Sequence, residues 1–186
     1  MEDKKAYSED VHNQIIGWTG NCDSKASFIL AFVGIIIPLI LTSEYIVRSI
    51  EKLLREFIDY WSMNVGKFSI TATFMFLFLC IFIFYISRCI MLQISCLTAR
   101  LTNQPNSSLP SIIFFKSISS QSYEDFVNLA IQKSDEEYLN DKLRQIHICS
   151  TICTTKFETY NKGIKALKYG LISFCLFVIL TIIFNA

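Results

Sequence analysis

Three stretches of the chain are apolar on every helical face rather than along one stripe. Ala26–Thr42 (ASFILAFVGIIIPLILT) and Phe68–Ser87 hold no charge, and Leu167–Phe184 holds only Lys168, near its start. Each approaches or reaches the roughly 20 residues that cross about 30 Å of hydrocarbon as a helix. Any one alone would suit a buried core helix, but three in so short a chain leave little polar surface to solvate them. The pattern predicts an all-α membrane protein with three transmembrane helices and a small helical cytosolic module. The mixed charges before Ala26 and the lack of a small-residue cleavage pattern after Thr42 read as a retained span, not a signal peptide. Pro38 lacks a backbone donor and crowds the carbonyl of Gly34, so a kink there would be ordinary.

The connecting stretches are amphipathic. In segment 1–25, Val11, Ile15, Trp18 and Cys22 share a stripe, and no strong stop precedes the first span. One long helix entering the membrane near Lys25 is expected. Between the first two spans, in 43–67, Ile46, Ile50, Leu53, Leu54, Phe57 and Trp61 recur at helical spacing with charges on the other faces. This extracytoplasmic helix either packs on neighbouring helices or another subunit, or lies on the outer face of the membrane.

The segment 88–166 is the only room for a soluble module. Thr102–Ser111 has turn chemistry, Ile112–Ile118 is short and apolar, Ser122 is a candidate N-cap, and Ser134-Asp-Glu-Glu137 fits a capping box. A short helix over 123–133 and a long one starting near 135 follow. In the long helix, Leu139, Ile146, Cys153, Tyr160 and Leu167 are seven apart, with Leu143, Ser150, Phe157 and Ile164 at the alternate heptad position. Such a seam belongs to a bundle or coiled coil, and homo-oligomerisation through 139–167 is expected. Continued into the third span, 135–184 would make a rod about 75 Å long.

Composition sharpens this picture. The chain is 52 % apolar and 18 % charged, against the usual quarter or so of charged residues in soluble domains. A net charge of +1 does not point to nucleic acid as a partner. Seven Cys, several within apolar runs, do not read as a disulfide framework. Lys4, Lys5 and Lys25 precede the first span, four basic residues lie in the first loop, and ten lie from Arg88 to Lys168. Thirteen of 17 therefore fall on the side shared by the N-terminus and the long loop, which assigns that side to the cytoplasm.

Catalytic signatures are missing. There is no GxGxxG, P-loop, HExxH, CxxC or GxSxG. His147, Cys149 and Cys153 sit close in sequence but supply too few ligands from one helix for a tetrahedral metal site. The expectation is no enzyme, no metal and no resident cofactor.

The motifs do resemble one family. Asp23-Ser-Lys-Ala-Ser-Phe-Ile-Leu30 at the first span, Phe114-Phe115-Lys-Ser-Ile118 followed by Tyr123-Glu-Asp-Phe126, and Gln145-Ile146, Ser150-Thr-Ile152 and Lys156-Phe-Glu-Thr-Tyr160 stand in the family's order. Together they resemble the transmembrane effectors of the Pycsar antiphage system (PycTM), from about residue 11 to the C-terminus. Tyr160 departs from the aliphatic residue of many relatives. The resemblance implies a bacterial inner-membrane protein that senses cCMP or cUMP made by a partner pyrimidine cyclase and then impairs membrane integrity, causing abortive infection. A ligand-independent scaffold, or a small channel or toxin, is the alternative.

A receptor for a cyclic monophosphate needs cations or N–H donors for the phosphate and polar or aromatic groups for the base. Lys25, Arg100, Lys116, Arg144 and Lys156 are candidate cations. Asp23, Gln145, Ser150 and Thr154 are candidate base readers, and Phe114, Phe115 or Tyr160 candidate stackers. For Asp23 and Lys25 an interfacial helix-end pair, and for Gln145, Ser150 and Lys156 a polar layer within a bundle, are the readings that stand ahead of ligand binding.

Overall fold

The computed structural model describes residues 2–61, 70–98 and 110–185. The chain is an all-α membrane protein of six helices among the described residues: α1 (Glu2–Thr42), α2 (Glu44–Trp61), α3 (Ile70–Leu97), α4 (Phe115–Ser119), α5 (Tyr123–Gln132) and α6 (Asp135–Asn185). Helices α1, α3 and α6 are each long and apolar enough to cross a membrane. The start of the second span at Phe68, Arg100 and the turn-rich stretch over 102–109 lie outside the described residues.

The local signals explain the helix limits. α1 continues through Pro38 and stops at Thr42; one residue, Ser43, separates it from α2, and the Ser43 carbonyl accepts the first bond of α2 from Val47 N–H at 2.9 Å. Ser122 caps α5, its side chain accepting from Asp125 N–H at 3.1 Å. Ser134 and Glu137 form the reciprocal capping box: Ser134 N–H donates to Glu137 Oε2 at 2.8 Å, and Glu137 N–H to Ser134 Oγ at 3.3 Å. α6 then runs unbroken through Asn185. α3 differs from expectation, continuing ten residues past Ser87. Of the ambiguous run Ile112–Ile118, only the part from Phe115 is helical.

The chain forms two compact units, residues 1–23 with 98–157 and residues 24–97 with 158–186. In the first, α1 and α6 run parallel. Lys5 pairs with Asp135 at 2.6 Å and Asp23 with Lys156 at 2.5 Å, so position rises along both helices together. Ser8, Ile15 and Cys22 form the buried stripe of α1, seven residues apart. Trp18, expected on that stripe, is 55 % exposed. The spacing alone also admits a stripe one position over, and Ser8 shows which one is buried.

In the second unit α3 runs antiparallel to α6. Gln93 Nε2 donates to the Tyr160 carbonyl, and Ser173 Oγ donates to the Phe78 carbonyl at 2.7 Å. One core joins Val33, Ile86, Cys89, Ala166 and Leu167. Another joins Leu53 of α2 to Ala72, Met75 and Phe177, with Ile46 and Ile50 against it. One face of α2 therefore packs on its neighbours, while Leu54, Ile58 and Trp61 are exposed. Many apolar side chains of the spans face outward, among them Phe28, Ile35, Ile83, Phe84, Ile179 and Ile183. Lipid accommodates such faces where water would not.

Close approach of α3 to α6 rests on small residues. Gly163, Ala166, Gly170 and Ser173 lie on one buried face of α6, the small-residue pattern by which helices approach within a bilayer. A Cβ on Gly163 would meet the Gln93 amide well inside contact distance, and one on Gly170 would lie 3.3 Å from Ile86 Cδ1. Gly163→Ala should thus destabilise the second unit by about 1–3 kcal/mol through overpacking. Thermal unfolding in detergent checks this. Prior replacement of Gln93 by Ala should reduce the cost of Gly163→Ala, and additive penalties would refute the clash. Gly17 faces open space, so Gly17→Ala should instead stabilise by about 0.5–1 kcal/mol.

Candidate functional site

The polar chemistry of the first unit centres on Asp141, which sequence analysis did not single out. Its side chain is 3 % exposed and receives four side-chain or backbone donors. Ser111 Oγ and Ile112 N–H each donate to Oδ2 at 3.0 Å, Lys133 Nζ lies 3.2 Å from the same oxygen, and an Arg144 Nη donates to Oδ1 at 2.9 Å. Ser111 Oγ in turn accepts from Ile113 N–H and Phe114 N–H. One carboxylate thereby ties the segment before α4 and the residue after α5 to the second turn of α6.

Burial pushes the Asp141 carboxyl up. The hydrogen bonds from Ile112 and Ser111, with the bond and charge of Lys133, outweigh it and hold the group below the usual carboxylate range. Beside it is a cavity of about 260 Å³ lined by Lys133, Glu137, Asn140, Asp141 and Arg144. Its two cations face two carboxylates, and both cations bind Asp141 directly. Arg144 Nε is buried with no hydrogen-bond partner among the described residues.

The expected site residues separate into clusters. Asp23 and Lys156 meet, and the Lys156 side chain is 7 % exposed. Arg144 belongs to the Asp141 cluster, twelve residues earlier on α6 and so about 18 Å along its axis. Phe114 and Phe115 lie ring against ring at 5.0 Å, Phe114 half-buried and Phe115 exposed. Ser150 Oγ donates to the Ile146 carbonyl of its own helix at 2.8 Å. Gln145 is buried, and its Nε2 has no partner among the described residues. Lys25 is exposed and lies in the second unit.

His12 of α1 also has a buried Nδ1 without a partner among the described residues. Burial first, and the Lys142 charge second, pull His12 below its ordinary value, which favours the neutral imidazole near pH 7. Asp141 left one trace in the sequence: it is the sole carboxylate of α6 between Glu137 and Glu158. Its partners Ser111 and Ile112 lie about 30 residues upstream, beyond the reach of helical spacing.

Asp141→Asn should destabilise the first unit by about 3 kcal/mol, because Lys133 and Arg144 lose a buried counter-charge. The pH response has a definite sign. Since folding lowers the Asp141 pKa, its contribution is full above the unfolded value near 3.9 and is lost as pH falls through the lower folded value. Amide exchange of α5 and the start of α6, followed as the pH falls below about 4, should show this loss. The same window should be flatter in Asp141→Asn; equal slopes would remove Asp141 as the source.

No solved structure matches the chain. A family model described as the Pycsar effector protein domain, PycTM, matches residues 7–184. The chain is also similar to the Pycsar effector protein GmPycTM of Gulbenkiania mobilis, 31 % identical over 161 residues, which is 84 % of this chain and 82 % of the relative. The match runs from the polar part of α1, through the three spans, almost to the end of α6, and the chain belongs to the PycTM family of Pycsar effectors.

Proposed function

We propose that this chain is an antiphage effector of the bacterial inner membrane that responds to a cyclic pyrimidine monophosphate, cCMP or cUMP, from a partner cyclase. The observation that carries the reading is the family match over nearly the whole chain, polar unit and spans together. The first unit supports ligand binding because it keeps polar atoms in reserve. Gln145 Nε2, Arg144 Nε and His12 Nδ1 are buried without partners among the described residues. Buried polar groups in folded proteins are nearly always satisfied, and a bound nucleotide supplies acceptors and donors. Helices α1 and α6 contribute to both units, so an event in the first has a covalent route into the spans.

The excess of Lys and Arg on the side shared by the N-terminus and the long loop supports a cytoplasmic N-terminus. Self-assembly uses the seam Leu139, Leu143, Ile146, Cys153, Phe157, Tyr160 and Ile164. Leu143 is 48 % exposed, an apolar side chain available to a second copy. Ligand-driven rearrangement of these helices then opens or assembles a membrane-disrupting structure.

Calorimetry on the purified protein, with cAMP as control, should show cCMP or cUMP binding, and dye-loaded proteoliposomes should leak only with the bound nucleotide. Binding of neither pyrimidine, together with tight vesicles, would overturn the proposal. Leakage without any nucleotide would instead support an autonomous pore. Leu143→Asp or Phe157→Asp should break assembly by burying an unpaired charge in the seam. Light scattering in detergent reads this directly, and an unchanged particle mass for both variants would refute the seam.

A further inference from the structure

A second cationic site lies in the second unit, and its charge is not neutralised by its own lining. Tyr85 and Arg88 of α3 and Lys162, Lys165, Ala166 and Tyr169 of α6 line an open groove of about 230 Å³. The lining contains three cations and no carboxylate, unlike the cavity beside Asp141. None of the three makes an ion pair among the described residues. The nearest carboxylate along α6, Glu158, lies one turn before Lys162 and does not line the groove.

The two tyrosine rings lie together with centroids 5.5 Å apart. Tyr85 and Tyr169 fall just inside the apolar runs Phe68–Ser87 and Leu167–Phe184, whereas Arg88, Lys162 and Lys165 fall just outside them. Tyr inside and Lys or Arg outside is the arrangement of a membrane interface. Basic pockets between helices at that depth suit anionic head groups.

We infer that this groove binds a phosphodiester monoanion, supplied by the head group of an anionic phospholipid. Arg88 offers a planar fork of donors to phosphate oxygens, and Lys162 and Lys165 add point charges. The tyrosine hydroxyls add donors at the wet end of an otherwise apolar surface. A cyclic mononucleotide carries the same phosphodiester charge. The groove is smaller than the roughly 300–1,000 Å³ of sites that enclose a drug-sized ligand, which favours a head group whose tails remain in the bilayer. The inference is independent of the nucleotide reading above.

Native mass spectrometry of the full chain in detergent, titrated with phosphatidylglycerol or phosphatidylcholine, tests the site. The parent protein should retain phosphatidylglycerol preferentially. The double change Arg88→Gln with Lys165→Gln should weaken the first phosphatidylglycerol by roughly 20-fold, as expected for two cations near a membrane surface. Lys168→Gln removes one charge close by but outside the lining, and should change that affinity by less than about twofold, against roughly fivefold for each lining cation. An equal loss per charge removed in the groove and Lys168 variants would reduce the effect to general surface charge and overturn the site. A second arm titrates cCMP and cUMP. Loss of nucleotide affinity with phosphatidylglycerol retention intact would overturn the lipid assignment and give the groove to the free nucleotide. Each variant must match the parent in thermal unfolding. Should the double variant misfold, Lys162→Gln alone, expected to weaken retention by roughly fivefold, replaces it.

Discussion

The parallel register of α1 and α6 depends on one ion pair, Asp23 with Lys156. The Lys156 side chain is almost fully buried, and a buried ammonium without a counter-ion is costly by several kcal/mol. Asp23 is the sole carboxylate of α1 beyond Asp10, so no other axial register supplies a partner from that helix. Such a pair adds little net stability over a well-packed apolar substitute, but it penalises every displaced arrangement. The exposed Lys5–Asp135 pair lies nearer the beginnings of the two helices and is expected to contribute far less. With the register fixed, Ser8, Ile15 and Cys22 form the inner stripe of α1 and Trp18 is left outside.

The second unit uses different physics. Between helices in lipid there is no water to expel, so association relies on close packing and interhelical hydrogen bonds. Gly163, Ala166 and Gly170 remove side-chain bulk where α3 approaches, and Ser173 spends its hydroxyl on the Phe78 carbonyl. Thr181 satisfies itself locally on the Phe177 carbonyl at 2.8 Å. Along a single helix the basis of packing thus changes: α6 buries Asp141, Gln145 and Lys156 in the first unit and small or apolar residues in the second.

That change explains what the sequence made legible. The spans, the unbroken α6, the N-cap Ser122 and the Ser134–Glu137 box depend on residues within a few positions of each other, so spacing reveals them. The heptad spacing places an apolar seam on α6, yet Leu143 of that seam is half-exposed while Asp141 and Gln145 beside it are buried. Ranking positions by apolarity cannot anticipate this, because burial of Asp141 is compensated by Ser111, Ile112 and Lys133 from other segments. The pairing of Asp23 with Lys156 spans 133 residues and is equally beyond the reach of helical spacing; only the family motifs single out both residues. Ser150, a polar residue in a suggestive motif, donates its hydroxyl to its own helix.

Magnitudes constrain how a small nucleotide could act through such a frame. Moving a two-state equilibrium from 1:99 to 99:1 takes about 5.5 kcal/mol of differential binding. A ligand held at micromolar affinity has about 8 kcal/mol in all, so most of its binding energy would have to discriminate between the two states. Contacts shared by both states contribute nothing to that difference. The Asp141 cluster and the Asp23–Lys156 pair are interactions of a few kcal/mol each, and each joins segments distant in sequence. A phosphate that competed for Arg144, or acceptors that satisfied Gln145 and Arg144 Nε, would change the balance at one such junction by a comparable amount. A switch assembled from partly satisfied buried polar groups is therefore within reach of a monoanionic ligand. A wholly apolar interface of the same size would offer that ligand no point of attack.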